Sequence, residues 1–163
     1  MTDIERKIIK ILSENARYSS ADLSSMLGIT EKQVDATIEK LENENIICGY
    51  PAIIDWDKTD GETVTALIEL KVTPKKALGF EEIAESITNC PEVESVYLMS
   101  GGYDLCVTVK GHTFKEVSMF VAKRLATMDG VVSTATHFVL RKYKEVGTVL
   151  ENKHADDRGM FLL

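Results

Sequence analysis

The stretch Ser19 to Tyr50, SSADLSSMLGITEKQVDATIEKLENENIICGY, decides how this chain is read. A short helix starts near Ser19 or Ser20 and buries Leu23 and Leu27. Gly28 then supplies a turn, since a residue without Cβ takes a left-handed conformation cheaply. Thr30 and Gln33 have the spacing of a capping box and open a longer helix. Val34, Ile38 and Leu41 form its inward face; Glu31, Lys32, Asp35, Ala36, Thr37, Glu39 and Lys40 form its outward face. After Asn45 the pattern becomes a β run, Ile46 to Tyr50, continued past Pro51 by Ala52-Ile53-Ile54. Helix, glycine turn, helix is the outline of a helix-turn-helix unit.

Upstream, Thr2 or Asp3 caps a first helix, with Glu5 near the positive end of its dipole. Ile4, Ile8, Ile11 and Leu12 recur at helical spacing, and Asn15 to Arg17 end the helix. Downstream, Asp55 to Thr63 is polar and turn-rich and reads as a linker. Val64, Ala66, Ile68, Leu70 and Val72 then line one face of a strand. Phe80, Ile83, Ala84 and Ile87 fit a helix, and Val93 to Ser100 a strand. Gly101-Gly102 turns into a partner strand carrying Leu105, Val107 and Val109. Phe114, Val117, Val121 and Leu125 fit a second helix, and Val131 to Lys142 a last long strand.

The order β-α-β-β-α-β predicts a ferredoxin-like domain, so the fold class is α+β. The expected boundaries are 1–54 for the helix-turn-helix domain with a short β linker, 55–63 for the linker, 64–146 for the ferredoxin-like domain and 147–163 for a tail. That tail ends in Met160-Phe161-Leu162-Leu163, which predicts a short docking strand. Both helices on one face leave the other face of the sheet open. Thr134, Thr136, Phe138 and Leu140, with Leu67, predict a half-apolar surface there, and a second copy of the chain is its simplest cover.

The bulk properties, 44% apolar and 28% charged, are ordinary for a soluble globular protein. No apolar run is long enough to span a membrane, and Met1 to Lys10 shows no signal peptide. Cys48, Cys90 and Cys106 are scattered and read as buried, reduced thiols in a cytoplasmic protein. No metal spacing, Walker loop or nucleophile elbow occurs, and no cofactor is expected. Net charge is −7, and residues 1–60 carry seven basic against twelve acidic side chains. This runs opposite to the basic patch expected of a nucleic-acid-binding surface.

The succession of elements resembles the Lrp/AsnC (feast/famine) family of transcription regulators over nearly the whole chain. The similarity rests on Leu23-Ser24, Leu27 to Thr30, Val34, Ile38, Leu41-Glu42, Ile46-Ile47 and Tyr50 in the first half. In the second half it rests on Val93 to Ser100 leading into Gly101-Gly102-Tyr103-Asp104-Leu105, and on Asp157-Arg158 before the apolar end. The resemblance implies a cytoplasmic, non-enzymatic regulator of double-stranded DNA. It implies dimers formed through the sheet domain, assembling further into tetramers or octamers. Small effectors, typically amino acids, would bind at interfaces between dimers. Two positions depart from the family pattern: Thr37 stands where an arginine is usual, and Asn45 where a glycine is usual.

On this reading Lys32, Gln33, Ala36, Thr37 and Lys40 face DNA, with Ser19, Ser20 and Thr30 near phosphates. Gly101, Gly102, Tyr103 and Asp104 read either as a hairpin turn, with the glycines at positive φ, or as an effector loop. In the second case N–H groups take a carboxylate and Asp104 takes an ammonium. Ser133, Thr134 and Thr136 are candidates for the same pocket. One alternative is a sensor or assembly module whose acidic helix binds DNA weakly. The other is a siroheme-decarboxylase-like enzyme, suggested by the same two-part architecture with His137 and Arg141 four residues apart.

Overall fold

The computed structural model describes residues 1–61, 63–73 and 79–150. The chain divides into two compact units, Met1–Ala52 and a second beginning at Ile53. In the first unit, α1 (Asp3–Glu14), α2 (Ser20–Leu27) and α3 (Glu31–Asn43) pack around Ile8, Leu12, Leu23, Val34 and Leu41. Each helix opens with a capping box: Thr2 with Glu5, Ser19 with Asp22, Thr30 with Gln33. Two orphan N–H groups are thereby satisfied at each start, which fixes where each helix begins. Gly28 takes φ 67° between α2 and α3, with open space where a Cβ would sit, so its requirement is backbone conformation alone. Ile4 is exposed rather than part of the buried stripe. Glu5, by contrast, is buried.

Residues 46–54 pair with no described strand, so the β run expected there is not formed within the described chain. A strand exists only with a ladder partner, and an apolar run does not say where that partner lies. The stretch after it is structured: Trp56–Lys58 makes a single 3₁₀ turn.

The second unit holds β1 (Val64–Val72), α4 (Glu81–Thr88), β2 (Val93–Leu98), β3 (Leu105–Gly111), α5 (Phe114–Lys123) and β4 (Val131–Phe138). The strands form one sheet in the order β2-β3-β1-β4, with every neighbouring pair antiparallel. This is the ferredoxin-like arrangement. Ala66, Ile68, Leu70, Leu105, Val107 and Val109 meet Ile83, Ile87, Val117, Phe120 and Leu125 in the core. Gly130 takes φ 88°, a conformation that L side chains rarely adopt, and a Cβ there would also lie 2.8 Å from Ile83 Cδ1 and 3.2 Å from the Thr73 carbonyl oxygen. A short hairpin, β5 (Lys144–Glu145) and β6 (Thr148–Val149), follows and straddles the boundary expected at residue 146. The tail expected to dock, with Asp157-Arg158 and Met160 to Leu163, lies outside the described residues.

The register corrects the reading of the open face. Thr134, Thr136 and Phe138 stand opposite Leu70, Ile68 and Ala66, on the face that the helices cover. A bulge between Lys71 and Val72 lets both Val131 and Thr134 face the helices, an odd spacing that simple alternation does not give. The open face carries Leu67, Glu69 and Lys71 of β1, Cys106 and Thr108 of β3, Ser95 and Tyr97 of β2, and Ser133, Ala135 and His137 of β4. It is therefore more polar than expected, with Leu67 and Tyr97 as its large exposed apolar groups. Of the three thiols only Cys90 is buried; Cys48 is exposed and Cys106 half-buried.

Candidate nucleic-acid interface and effector loop

The helix-turn-helix presents α3 with Glu31, Lys32, Gln33, Asp35, Ala36 and Glu39 exposed. Several expected DNA contacts already have partners within the unit. Gln33 Oε1 accepts from the Thr30 N–H at 2.9 Å and from its hydroxyl at 3.0 Å, leaving the amide nitrogen free of that cap. The Thr37 hydroxyl donates to the Gln33 carbonyl at 2.7 Å. The Ser19 hydroxyl donates to Asp22 at 2.7 Å, and with the Ser19 N–H holds that carboxyl below its usual range. The Ser20 hydroxyl donates to Asp35, tying α2 to α3.

Lys40 departs most from expectation. Its Nζ donates to Glu5 Oε1 at 2.7 Å, joining α3 to α1, and lies 3.8 Å from Glu44. Glu5 also accepts from the Thr2 N–H at 2.6 Å, so one carboxylate closes a capping box and receives the lysine. The Lys40 ammonium, first, and then the Thr2 N–H hold the Glu5 carboxyl below its usual range. In the sequence Glu5 is already accounted for by the positive end of the helix dipole, and nothing local signals Lys40, 35 residues away. Lys32 forms no ion pair with a described residue and is the basic group that α3 leaves free on its outward face.

Asn45 takes φ 53° where the family pattern has glycine. The Ile46 N–H donates to the Leu41 carbonyl and the Asn45 N–H to the Glu42 carbonyl, both at 2.9 Å. This pair of bonds is a Schellman closure, and asparagine is the residue after glycine best suited to it. Tyr50 donates its hydroxyl to Glu42 at 2.8 Å, fastening the outgoing chain to α3. Partial burial first, then Glu42, pushes that phenol up to about 12.

At the sheet domain β2 and β3 form the expected hairpin across Gly101 and Gly102, but the two glycines are exposed and neither adopts the positive φ expected of it. A Cβ on either would meet nothing within 4 Å. Tyr103 is half-buried, and desolvation, then Cys106 and Glu69, push its phenol up. Asp104 is a latch. Its N–H donates to the Leu70 carbonyl at 2.9 Å, its carbonyl accepts from Met99 at 2.8 Å, and Oδ2 accepts from the Val72 N–H at 2.9 Å. Ser133 joins the loop's side of the sheet, opposite Lys71 on the open face. Thr134 and Thr136 point to the helices, so the three hydroxyls cannot line one open-face pocket. His137 and Arg141 do not share a strand either: β4 ends at Phe138, and His137 lies 3.4 Å from Glu69 while Arg141 packs over the Tyr143 ring at 5.9 Å.

A capped helix-turn-helix joined to a ferredoxin-like sheet domain with a latched loop defines a two-domain ligand-responsive DNA-binding protein. Residues 1–42 match the AsnC-type helix-turn-helix domain and residues 65–149 the Lrp/AsnC ligand binding domain. The chain is 50% identical over 159 residues to the protein named "Uncharacterized HTH-type transcriptional regulator YugG" of Bacillus subtilis (strain 168), covering 97% of this chain and 96% of that one. It is 31% identical to the HTH-type transcriptional regulator FL11 of Pyrococcus horikoshii, over 89% of this chain and 93% of that one. In fold it is similar to the transcriptional regulator NMB0573 of Neisseria meningitidis, solved as a complex with L-Met. The TM-score is 0.70 at 24% identity, over 89% of this chain and 93% of that one. The chain belongs to the Lrp/AsnC family of transcriptional regulators. The decarboxylase alternative finds no support in the site or in these relatives.

Proposed function

We propose that this regulator reads duplex DNA with Lys32, Gln33, Ala36 and Thr37, with Ser19, Ser20 and Thr30 near phosphates. Lys40 plays a lesser part, because its ammonium is held by Glu5. Copies of the chain associate through the open sheet face, and an α-amino acid binds at the Gly101-Gly102 loop. The setting is cytoplasmic. An effector that binds one assembly better than another shifts the population of oligomers, and operator affinity shifts with it. Several weakly binding heads on one assembly gain affinity through effective concentration, which accommodates an acidic reading helix.

The observation that carries the effector reading is at the glycines. Neither backbone conformation nor crowding inside the chain requires Gly101 or Gly102 to lack a side chain. A close approach from outside is the remaining physical use for two adjacent glycines. The complex of the Neisseria protein with L-Met supports an amino acid as the class. The test is thermal melting of the full chain against a panel of amino acids. A binding member raises the melting temperature, and Gly101→Val abolishes the rise while leaving the ligand-free melt unchanged. No shift with any member rules the loop out as an amino-acid site. Gly101→Val is a cleaner probe than Asp104→Ala, which would also cut the Val72 latch.

A further inference from the structure

The first turn of α3 restricts the hydrogen bonds that Gln33 can make outside the chain. A glutamine amide carries one oxygen with two lone pairs and one nitrogen with two hydrogens. The amide atom 2.9 Å from the Thr30 backbone nitrogen must be the oxygen, because that N–H can only donate. The Thr30 hydroxyl donates to the same Oε1 at 3.0 Å, and its oxygen accepts from the Gln33 N–H at 3.3 Å. Both lone pairs of Oε1 are therefore occupied within the cap. The residue is exposed, and its two Nε2 hydrogens have no partner among the described residues.

The neighbours on the outward face do not supply the same chemistry. Ala36 has no polar side-chain atom. Thr37 gives its hydroxyl hydrogen to the Gln33 carbonyl at 2.7 Å, so it presents lone pairs and a methyl group. The Gln33 amide is thus a pair of donors without an acceptor, at the third position of the helix that follows the turn. The N-terminal residues of such a helix are the ones that meet base edges when it enters the major groove.

The four bases differ in what they ask of that amide. An unrestrained glutamine pairs with adenine by donating to N7 and accepting from N6. With the oxygen occupied, the adenine N6 hydrogens find no acceptor there. Cytosine offers a donor, and thymine one acceptor beside a methyl group. Guanine presents two acceptors side by side, O6 and N7, and asks for none in return. We propose that Gln33 determines operator specificity by selecting a G·C pair, reading guanine with both Nε2 hydrogens because the helix cap has removed its acceptor. The inference rests on α3 being the reading helix, as in the proposed function. A contact from Nε2 to a phosphate would use the same hydrogens and carry no base preference.

The experiment is selection of bound duplexes from a randomised library by the full chain at low salt, for the parent, Gln33→Met, Gln33→Lys and Thr30→Val. Methionine keeps the length and removes the donors; lysine, like the capped amide, donates and cannot accept. The motif position that loses its preference in Gln33→Met is the one Gln33 reads. It is expected to be G·C in the parent and to stay G·C in Gln33→Lys. Thr30→Val frees one lone pair of Oε1 and is expected to admit A·T there. In anisotropy titrations, changing that position to A·T weakens the parent about tenfold, a discrimination usual for a two-bond base contact, and leaves Gln33→Met within about twofold. Circular dichroism confirms that the variants fold, since each loses part of the capping box. The proposal is overturned if the position is A·T in the parent, if Thr30→Val keeps a strict G·C, or if Gln33→Met weakens all sequences equally, as loss of a phosphate contact would. A parent that enriches no sequence overturns the reading of α3 as well. A parent motif that Gln33→Met leaves intact overturns this inference alone.

Discussion

Asn45 holds the exit from α3 at φ 53°, a conformation that costs an ordinary L-residue about 1–2 kcal/mol. Asn45→Gly is therefore expected to leave stability unchanged or raise it, and Asn45→Ala to lower it by about 1 kcal/mol in chemical denaturation. Glu5 makes a second prediction. Its folded carboxyl titrates below the usual range because Lys40 and the Thr2 N–H favour the ionised form. Its stabilisation is complete above the ordinary carboxylate range and is lost as pH falls through the lowered value. Melting of the helix-turn-helix unit should thus weaken on acidification, and Glu5→Gln should flatten that limb and lower stability near neutrality. An unchanged acid limb in Glu5→Gln would exclude the ion pair as its origin. Both residues were visible in the sequence, Asn45 as a departure from a glycine pattern and Glu5 as a charge near the positive end of the helix dipole. The Lys40 contact of Glu5 was not visible, because those residues lie 35 positions apart.

The recognition helix brings its conflict down to the element scale. The sequence places Glu31, Asp35 and Glu39 on the outward face of α3, and the fold leaves them there. The fold also removes one expected cation, Lys40, from easy use. Lys32 remains, with Thr37 where an arginine would add a phosphate or guanine contact. Thr37→Arg is expected to tighten binding to duplex DNA and to steepen its salt dependence by about 0.9 in log–log slope, one additional phosphate contact. Lys32→Ala should reduce the slope by a similar amount. Fluorescence anisotropy across a salt series measures both, and equal slopes for all three proteins would move the interface off α3. The helices themselves were legible because caps and apolar spacing are local. The open-face side of β4 was not: one bulge at Lys71/Val72 reverses the parity of everything after Val131.

At the scale of the whole molecule, the sheet's open face is the surface proposed for assembly. It presents Leu67 and Tyr97 among polar side chains, with Glu69, Lys71 and His137 of both signs between them. Such a mixed surface can pair with a second copy without net repulsion. If this face holds the oligomer together, Leu67→Glu with Tyr97→Asp should shift sedimentation toward the monomer and weaken DNA binding in the same step. An unchanged oligomer would place the contact elsewhere.

The sequence alone determined the two-part organisation, the helix starts, the glycine turn and the β-α-β-β-α-β order. Each follows from short-range rules of capping, periodicity and backbone freedom that act within a few residues. Only tertiary structure decided which charges are spent. It turned Lys40 to Glu5, made Asp104 a latch on Val72, and put Thr134 and Thr136 under the helices. Those outcomes depend on which distant residues meet and on register, and a side chain's identity does not record what will stand opposite it.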